Sequence, residues 1–186
     1  LEIRGAGNVL GAEQHGHLAA LGFALYVELL GEEVAELAGE RRTVARPVRV
    51  DARIDAYVPA QYIPAEAQKI DLHRRLALTE SEDELRELEA ATVDRYGPLP
   101  EPVQNLFAIQ LAKLKLAQLG ADYLVFRGGR STVGPLVLGS EELRALRDRV
   151  DTAVYRTARN EVSVKHDEFP EALELVDAIL ETRRAA

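Results

Sequence analysis

The stretch Tyr123-Leu124-Val125-Phe126-Arg127-Gly128-Gly129-Arg130-Ser131-Thr132-Val133-Gly134-Pro135-Leu136-Val137-Leu138 decides the fold. Two β-prone runs, Tyr123–Phe126 and residues 133–138, flank Gly128-Gly129, and a glycine pair between such runs predicts a hairpin with a short loop. On its C-terminal side Ser140 is expected to cap a helix through Val150, and residues 154–157 and Glu161–Lys165 read as two more strands joined near Asn160. Phe169, Leu173, Val176 and Leu180 then recur at the spacing of an amphipathic terminal helix.

Upstream of the hairpin three helices follow one another. The first is expected to start at Pro64 and carries Ile70, Leu72, Leu76 and Leu78. The second opens at Ser81 with Glu84 three residues on, a capping box, and stops at Gly97-Pro98-Leu99-Pro100. The third carries Val103, Leu106, Phe107, Leu111, Leu114 and Leu119 and ends at Gly120. Before them Val48, Val50, Ala52, Ile54, Ala56 and Val58 alternate with Arg49, Asp51, Arg53, Asp55 and Tyr57, the period of a strand with one buried face. Strands and helices thus lie in separate runs rather than in strict alternation. The expected class is α+β, a helical leader followed by a compact domain with a small mixed or antiparallel sheet packed against helices.

Residues 1–22 are rich in glycine and are expected to form turns and short helical pieces; residues 23–37 have helical spacing of leucines. The polar connector Gly39-Glu40-Arg41-Arg42-Thr43 marks the division, giving a leader of residues 1–46 and a C-terminal domain of residues 47–186. The chain starts at Leu1 and contains no Met, which is read as a piece of a longer protein.

Composition narrows the function. Of 186 residues 47% are apolar and 29% charged, which excludes collagen-like and fully disordered chains. Apolar runs are far shorter than the ~20 residues of a membrane span, so no membrane partner is expected. The net charge is −8, divided as −3, −3 and −2 over residues 1–62, 63–120 and 121–186. A chain that grips duplex nucleic acid by itself needs a basic patch, and none shows in so even a spread of acids. The absence of Cys removes thiolate catalysis and Cys-based zinc sites, and fits a reducing cytoplasm.

Motifs that would carry catalysis are missing. Gly5, Gly7 and Gly11 invite comparison with a dinucleotide loop, and a nucleotide- or small-molecule-binding enzyme domain is the alternative function. The spacing is one residue too long, however, and no strand can precede it. His15 and His17, beside Glu13, fall short of a metal-ligand set. The run Glu80, Glu82, Asp83, Glu84, Glu87 and Glu89 lies at a helix start, where acids are favoured by the helix dipole. Its functional reading is an acidic face, continuing to Asp94 and Arg95, that docks a basic surface.

Two blocks of sequence nevertheless resemble one family. Leu1-Glu2-Ile3-Arg4-Gly5-Ala6-Gly7-Asn8-Val9-Leu10-Gly11-Ala12-Glu13-Gln14-His15-Gly16 is similar to the translocation motif shared by RecG helicase and the bacterial transcription-repair coupling factors (Mfd). Tyr57-Val58-Pro59, Tyr62-Ile63-Pro64, Arg74-Arg75-Leu76-Ala77 and Asp94-Arg95-Tyr96-Gly97-Pro98-Leu99-Pro100 resemble the C-terminal domain of the coupling factors alone. The resemblance implies a parent that moves on double-stranded DNA with ATP and Mg, displaces stalled RNA polymerase and recruits UvrA. Its ATP-binding motifs would lie in a motor domain upstream, so neither catalytic residues nor a cofactor or metal is expected in this chain. Arg4 and Gln14 would couple hydrolysis to movement. Asp94 and Arg95 would dock on the parent's own N-terminal UvrA-binding module and keep it covered. The family often has Glu where this chain has Ala91, which removes one expected ionic contact.

Overall fold

The computed structural model describes residues 48–166 and 168–185. The expected boundary between residues 46 and 47 lies outside them. The described chain is α+β: five helices and one five-stranded mixed sheet. In chain order these are β1 (Arg49–Ala52), α1 (Glu66–Leu78), α2 (Glu82–Tyr96), α3 (Glu101–Leu119), β2 (Tyr123–Phe126), β3 (Arg130–Gly134), α4 (Ser140–Arg149), β4 (Val154–Arg156), β5 (Glu161–Lys165) and α5 (Pro170–Ala185).

The strand order is β1-β2-β3-β5-β4. The expected hairpin is present: β2 and β3 run antiparallel, with Tyr123 opposite Gly134 and Phe126 opposite Ser131. Gly128 and Gly129 both take positive φ at its tip (57° and 66°), where a Cβ would be strained. β3 ends at Gly134 instead of running on to Leu138, because Pro135 has no N–H to give the ladder. The Leu136 N–H turns instead to the Asn160 carbonyl at 2.6 Å. β1 adds parallel to β2, Arg49 facing Tyr123 and Ala52 facing Phe126. The alternation over residues 48–58 is therefore only partly a strand. Its partner is four residues long, and past Ala52 the chain leaves the ladder and bends at Ile54 and Tyr57.

Two clusters of buried side chains hold the domain together. The larger joins one face of the sheet, through Leu124, Val133, Val162 and Val164, to Leu146 of α4 and Ala172, Leu175, Val176 and Ile179 of α5. The smaller joins Val58, Ile63 and Leu99 to Leu72 and Leu76 of α1 and Leu85 and Leu88 of α2. α3 belongs to both: Val103 and Phe107 enter the smaller cluster, Ala112, Leu116 and Leu119 the larger. Its end is set by Gly120 in the left-handed region (φ 66°, ψ 28°), whose N–H returns to the last turn. The Arg183 guanidinium donates to the Leu119 carbonyl at 2.5 Å, and Lys115 reaches Asp177 at 2.5 and 2.7 Å, tying α3 to α5.

Three smaller expectations change. α1 begins at Glu66 rather than Pro64, and it buries Leu72 and Leu76 while Ile70 and Leu78 stay exposed. α4 is capped by Gly139, whose N–H donates to the Glu142 carboxylate at 2.6 Å; Ser140 is its first helical residue. In the capping box of α2, Ser81 Oγ accepts from the Glu84 N–H at 3.2 Å as expected. The Glu84 carboxylate, however, takes the N–H of Glu80 at 2.9 Å, one residue before the cap.

Truncating Leu116 or Phe107 to Ala should cost about 2–5 kcal/mol each, since both are fully packed. Because α3 serves both clusters, both variants are expected to lower one shared urea transition; two separated transitions would show the clusters to be independent. Burial holds the pKa of His73 and of His166 below the ordinary 6.5, against the pull of Glu66 on the first and of Glu171 and Glu174 on the second. The unfolded chain therefore takes up protons below pH 6.5 that the folded chain resists. Stability is complete above that pH and falls as the solution is acidified through it. Urea midpoints measured across this window should show the slope, and His73→Gln should flatten it.

Candidate functional site

The end of α2 carries the two charges singled out in the sequence, Asp94 and Arg95. Fifteen residues without Gly or Pro carry the helix from Ser81 to a stop at Gly97, which has φ 87° and sends its N–H to the Val93 carbonyl at 2.8 Å. Pro98 follows and cannot continue the helix. Thr92 is buried and its hydroxyl donates to the Leu88 carbonyl at 2.7 Å, so the helix faces the smaller cluster through Leu85, Leu88 and Thr92. Asp94 and Arg95 are left exposed in the last turn.

Aromatic side chains fix that turn from beneath. The Tyr62 hydroxyl donates to the Gly97 carbonyl at 2.8 Å, one of the acceptors a helix end leaves free. Tyr62 and Tyr96 stack at 5.9 Å between ring centroids with a 58° tilt, and the Tyr96 hydroxyl donates to Gln68 Oε1 of α1 at 3.3 Å. Burial, and then the neighbouring Tyr96, hold the Tyr62 pKa above its ordinary value, so Tyr62 stays a donor at neutral pH. The Arg95 guanidinium lies over the Tyr96 ring, 5.2 Å from its centroid. That contact limits the rotamers of an otherwise exposed side chain and is worth about 0.5–1 kcal/mol.

Asp94 has no such support. Its carboxylate makes no hydrogen bond or ion pair with another described residue, and it sits in the last turn of a helix, where the dipole disfavours negative charge. Arg95 in the same turn is favoured by the dipole. Asp94 and Arg95 are thus sequence neighbours of opposite charge in the last turn of a braced helix, with no contact between their side chains. Ala91, one turn earlier, is exposed and adds no charge there. The acidic residues at the other end of α2 are spent largely on local pairs, Arg86 bridging to Asp83 and to Glu82. Sequence reasoning named the two charges and missed the brace. Tyr62, Gln68 and Tyr96 stand 28 and 35 residues from their partners, separations at which no periodicity carries a signal.

Arg4, Gln14, His15, His17 and the residues 5–11 of the alternative nucleotide reading lie outside the described residues. Among the described residues no group of three or more His, Asp or Glu is arranged to hold a metal ion, and no helix is long and apolar enough to cross a membrane.

Residues 52–134, which include α1, α2 and their brace, match the TRCF domain family. The chain is 36% identical over 178 residues to a transcription-repair-coupling factor of Mycobacterium tuberculosis, a match covering 88% of this chain and 14% of that protein. It is 39% identical over 119 residues to the Bacillus subtilis transcription-repair-coupling factor, covering 63% of this chain and 10% of that protein. The fold is that of the crystal structure of a C-terminal domain of transcription-repair coupling factor, with TM-score 0.62, 20% identity, and coverage of 75% of this chain and 95% of that one. Residues 52–134 are therefore of TRCF-domain type, and the described helices and sheet share the fold of that C-terminal domain. The chain belongs to the transcription-repair-coupling factor family, and it spans about one-seventh of the length of the Mycobacterium relative it matches.

Replacing Tyr62 by Phe removes the donor to Gly97 and should cost about 1 kcal/mol. Asp94→Ala, at an exposed and unpaired position, is expected to change stability by no more than about 0.5 kcal/mol in either direction. Urea denaturation of the two variants checks the separation of brace from charge; a large loss for Asp94→Ala would make that carboxylate structural.

Proposed function

We propose that this chain is the end of a DNA translocase that couples transcription to nucleotide excision repair, and that its TRCF domain is an autoinhibitory docking module. In this reading Asp94 and Arg95 dock on the N-terminal UvrA-binding module of the same protein and cover it until RNA polymerase is engaged. The observation that carries the reading is the braced helix end. It holds an unpaired carboxylate against the helix dipole and clamps a guanidinium beside it, two charges positioned before any partner arrives. Such preorganisation lowers the ordering cost of association.

The chemistry suits a releasable contact. One exposed acid and one exposed base add specificity and register to an interface more than they add affinity, so a modest competing interaction suffices to open it. Ala91 keeps the contact set small. Residues 1–46, with Arg4 and Gln14, supply in this reading the last part of the motif that converts ATP hydrolysis into movement. A guanidinium bridging several acceptors and an amide that both donates and accepts are suited to that work. ATP and Mg would be bound by the motor domain of the parent protein, which would act in the cytoplasm on double-stranded DNA, RNA polymerase and UvrA.

In the full-length parent, the double reversal Asp94→Arg, Arg95→Asp should release the module. UvrA retained by the purified protein and its basal ATPase rate are both expected to rise, about tenfold for each 1.4 kcal/mol of docking energy lost. Unchanged UvrA retention in a folded variant would remove Asp94 and Arg95 from the contact.

A further inference from the structure

The sheet face turned away from the helices has a charge balance opposite to that of the chain. Alternation along the strands puts Val50, Leu124, Val133 and Val162 on the core side, and so puts Arg49, Arg130, Arg156 and Lys165 on the other, with Arg127 following β2. Arg49 is 73% exposed and Arg127 56%, Arg156 and Lys165 are exposed as well, and Arg130 is half-buried. The two carboxylates of the face are held inward. Asp51 is engaged by Arg127 at 2.6 Å, and Glu161 is buried and accepts from the Tyr123 hydroxyl at 2.6 Å. Burial and this hydrogen bond push the Tyr123 pKa up to about 12, so the hydroxyl remains a donor and Glu161 stays occupied.

One pairing on this face opposes stability. Arg130 of β3 and Lys165 of β5 stand directly opposite in register, and like charges so placed are destabilising. Among the described residues neither has a carboxylate within ion-pair distance; Arg130 donates to Ser163 Oγ at 3.3 Å, a neutral partner. Arg156, on the edge strand, likewise has no such partner. The centre of the face between these cations is lined by the small side chains of Val125, Thr132 and Ser163.

We propose that this face binds an acidic polypeptide segment, laid across the strands with its carboxylates on Arg130, Lys165 and Arg156. Guanidinium groups match carboxylates in paired hydrogen bonds, and an acidic segment would relieve the Arg130–Lys165 repulsion. A nucleic acid fits less well. The chain's net charge of −8 opposes the approach of an extended polyanion, whereas a short segment senses mainly the local cations. Among the described residues the strands put one aromatic side chain on this face, Tyr123, which is half-buried with its hydroxyl held by Glu161, so no row of exposed rings offers bases a stacking platform. This surface is separate from the Asp94–Arg95 helix end, and the inference stands without the docking function proposed for that end.

The test uses the whole chain and a fluorescein-labelled peptide of alternating Glu and Thr, read by anisotropy, beside a labelled DNA duplex. The peptide is expected to bind, more weakly as salt rises, and more tightly than the duplex. Lys165→Glu separates recognition from folding: pairing with Arg130 should raise the urea midpoint while peptide affinity falls about fivefold. Arg156→Gln, on the edge strand, should weaken the peptide in the same direction, and Arg74→Glu on α1 should leave its binding unchanged. Preference for the duplex, or peptide binding indifferent to both Lys165→Glu and Arg156→Gln, overturns the proposal.

Discussion

The structure depends on one helix answering to two cores. α3 is nineteen residues long, enough to lay Val103 and Phe107 against the helical cluster and Leu116 and Leu119 against the sheet. Each of those side chains contributes of the order of 1.5–3 kcal/mol by burial. Neither cluster holds them all, so the two are joined through a rigid rod rather than through a loop. The ion pair of Lys115 with Asp177 and the cap from Arg183 fix the sheet end of that rod, and Gly120 turns the chain directly into β2.

That rod explains why the end of α2 can be both exposed and well defined. α2 packs on α3 and α1, and the stacked Tyr62–Tyr96 pair bonds its last turn to Gln68 of α1 and to the Gly97 carbonyl. Charged residues at the outer turn then inherit the rigidity of the packing below them. The same logic applies on the sheet, where Gly134 leaves room for the Tyr123–Glu161 contact. A Cβ there would sit 2.9 Å from the Tyr123 hydroxyl and 3.2 Å from Glu161 Cγ.

Much of this was legible in the sequence because the signals were local. The helices were marked by leucine spacing and by Ser81, Gly97 and Gly120, and the hairpin by Gly128-Gly129. The signals failed where the answer lay in a distant partner. Residues 48–58 alternate along their whole length, but β2 offers only four residues of ladder, so β1 is short. Ile70 and Leu78 look like core positions, yet the helix presents Leu72 and Leu76 instead. At the candidate site the charged pair could be named from its motif, while Tyr62, Gln68 and the Arg95–Tyr96 stacking needed the fold. An even distribution of acids along the chain also concealed the cationic sheet face. Every second residue of five separated strands has to be brought side by side before its charges add.

The parallel pairing of β1 with β2 carries a consequence for how the domain assembles. Between these neighbouring strands lies the whole helical unit, α1 to α3, so their ladder closes a contact of very high sequence separation. The ends of that span come together cheaply only once the helices have packed, since a folded insertion replaces a long flexible loop with a short distance. The helices, whose contacts are local, have the topology that forms early; the β2–β3 hairpin is local as well. β1 is then the strand that waits. During synthesis its free edge leaves the ribosome before any of its partners, and its Arg49 and Asp51 are the kind of charges that keep such an edge from pairing with a neighbouring chain.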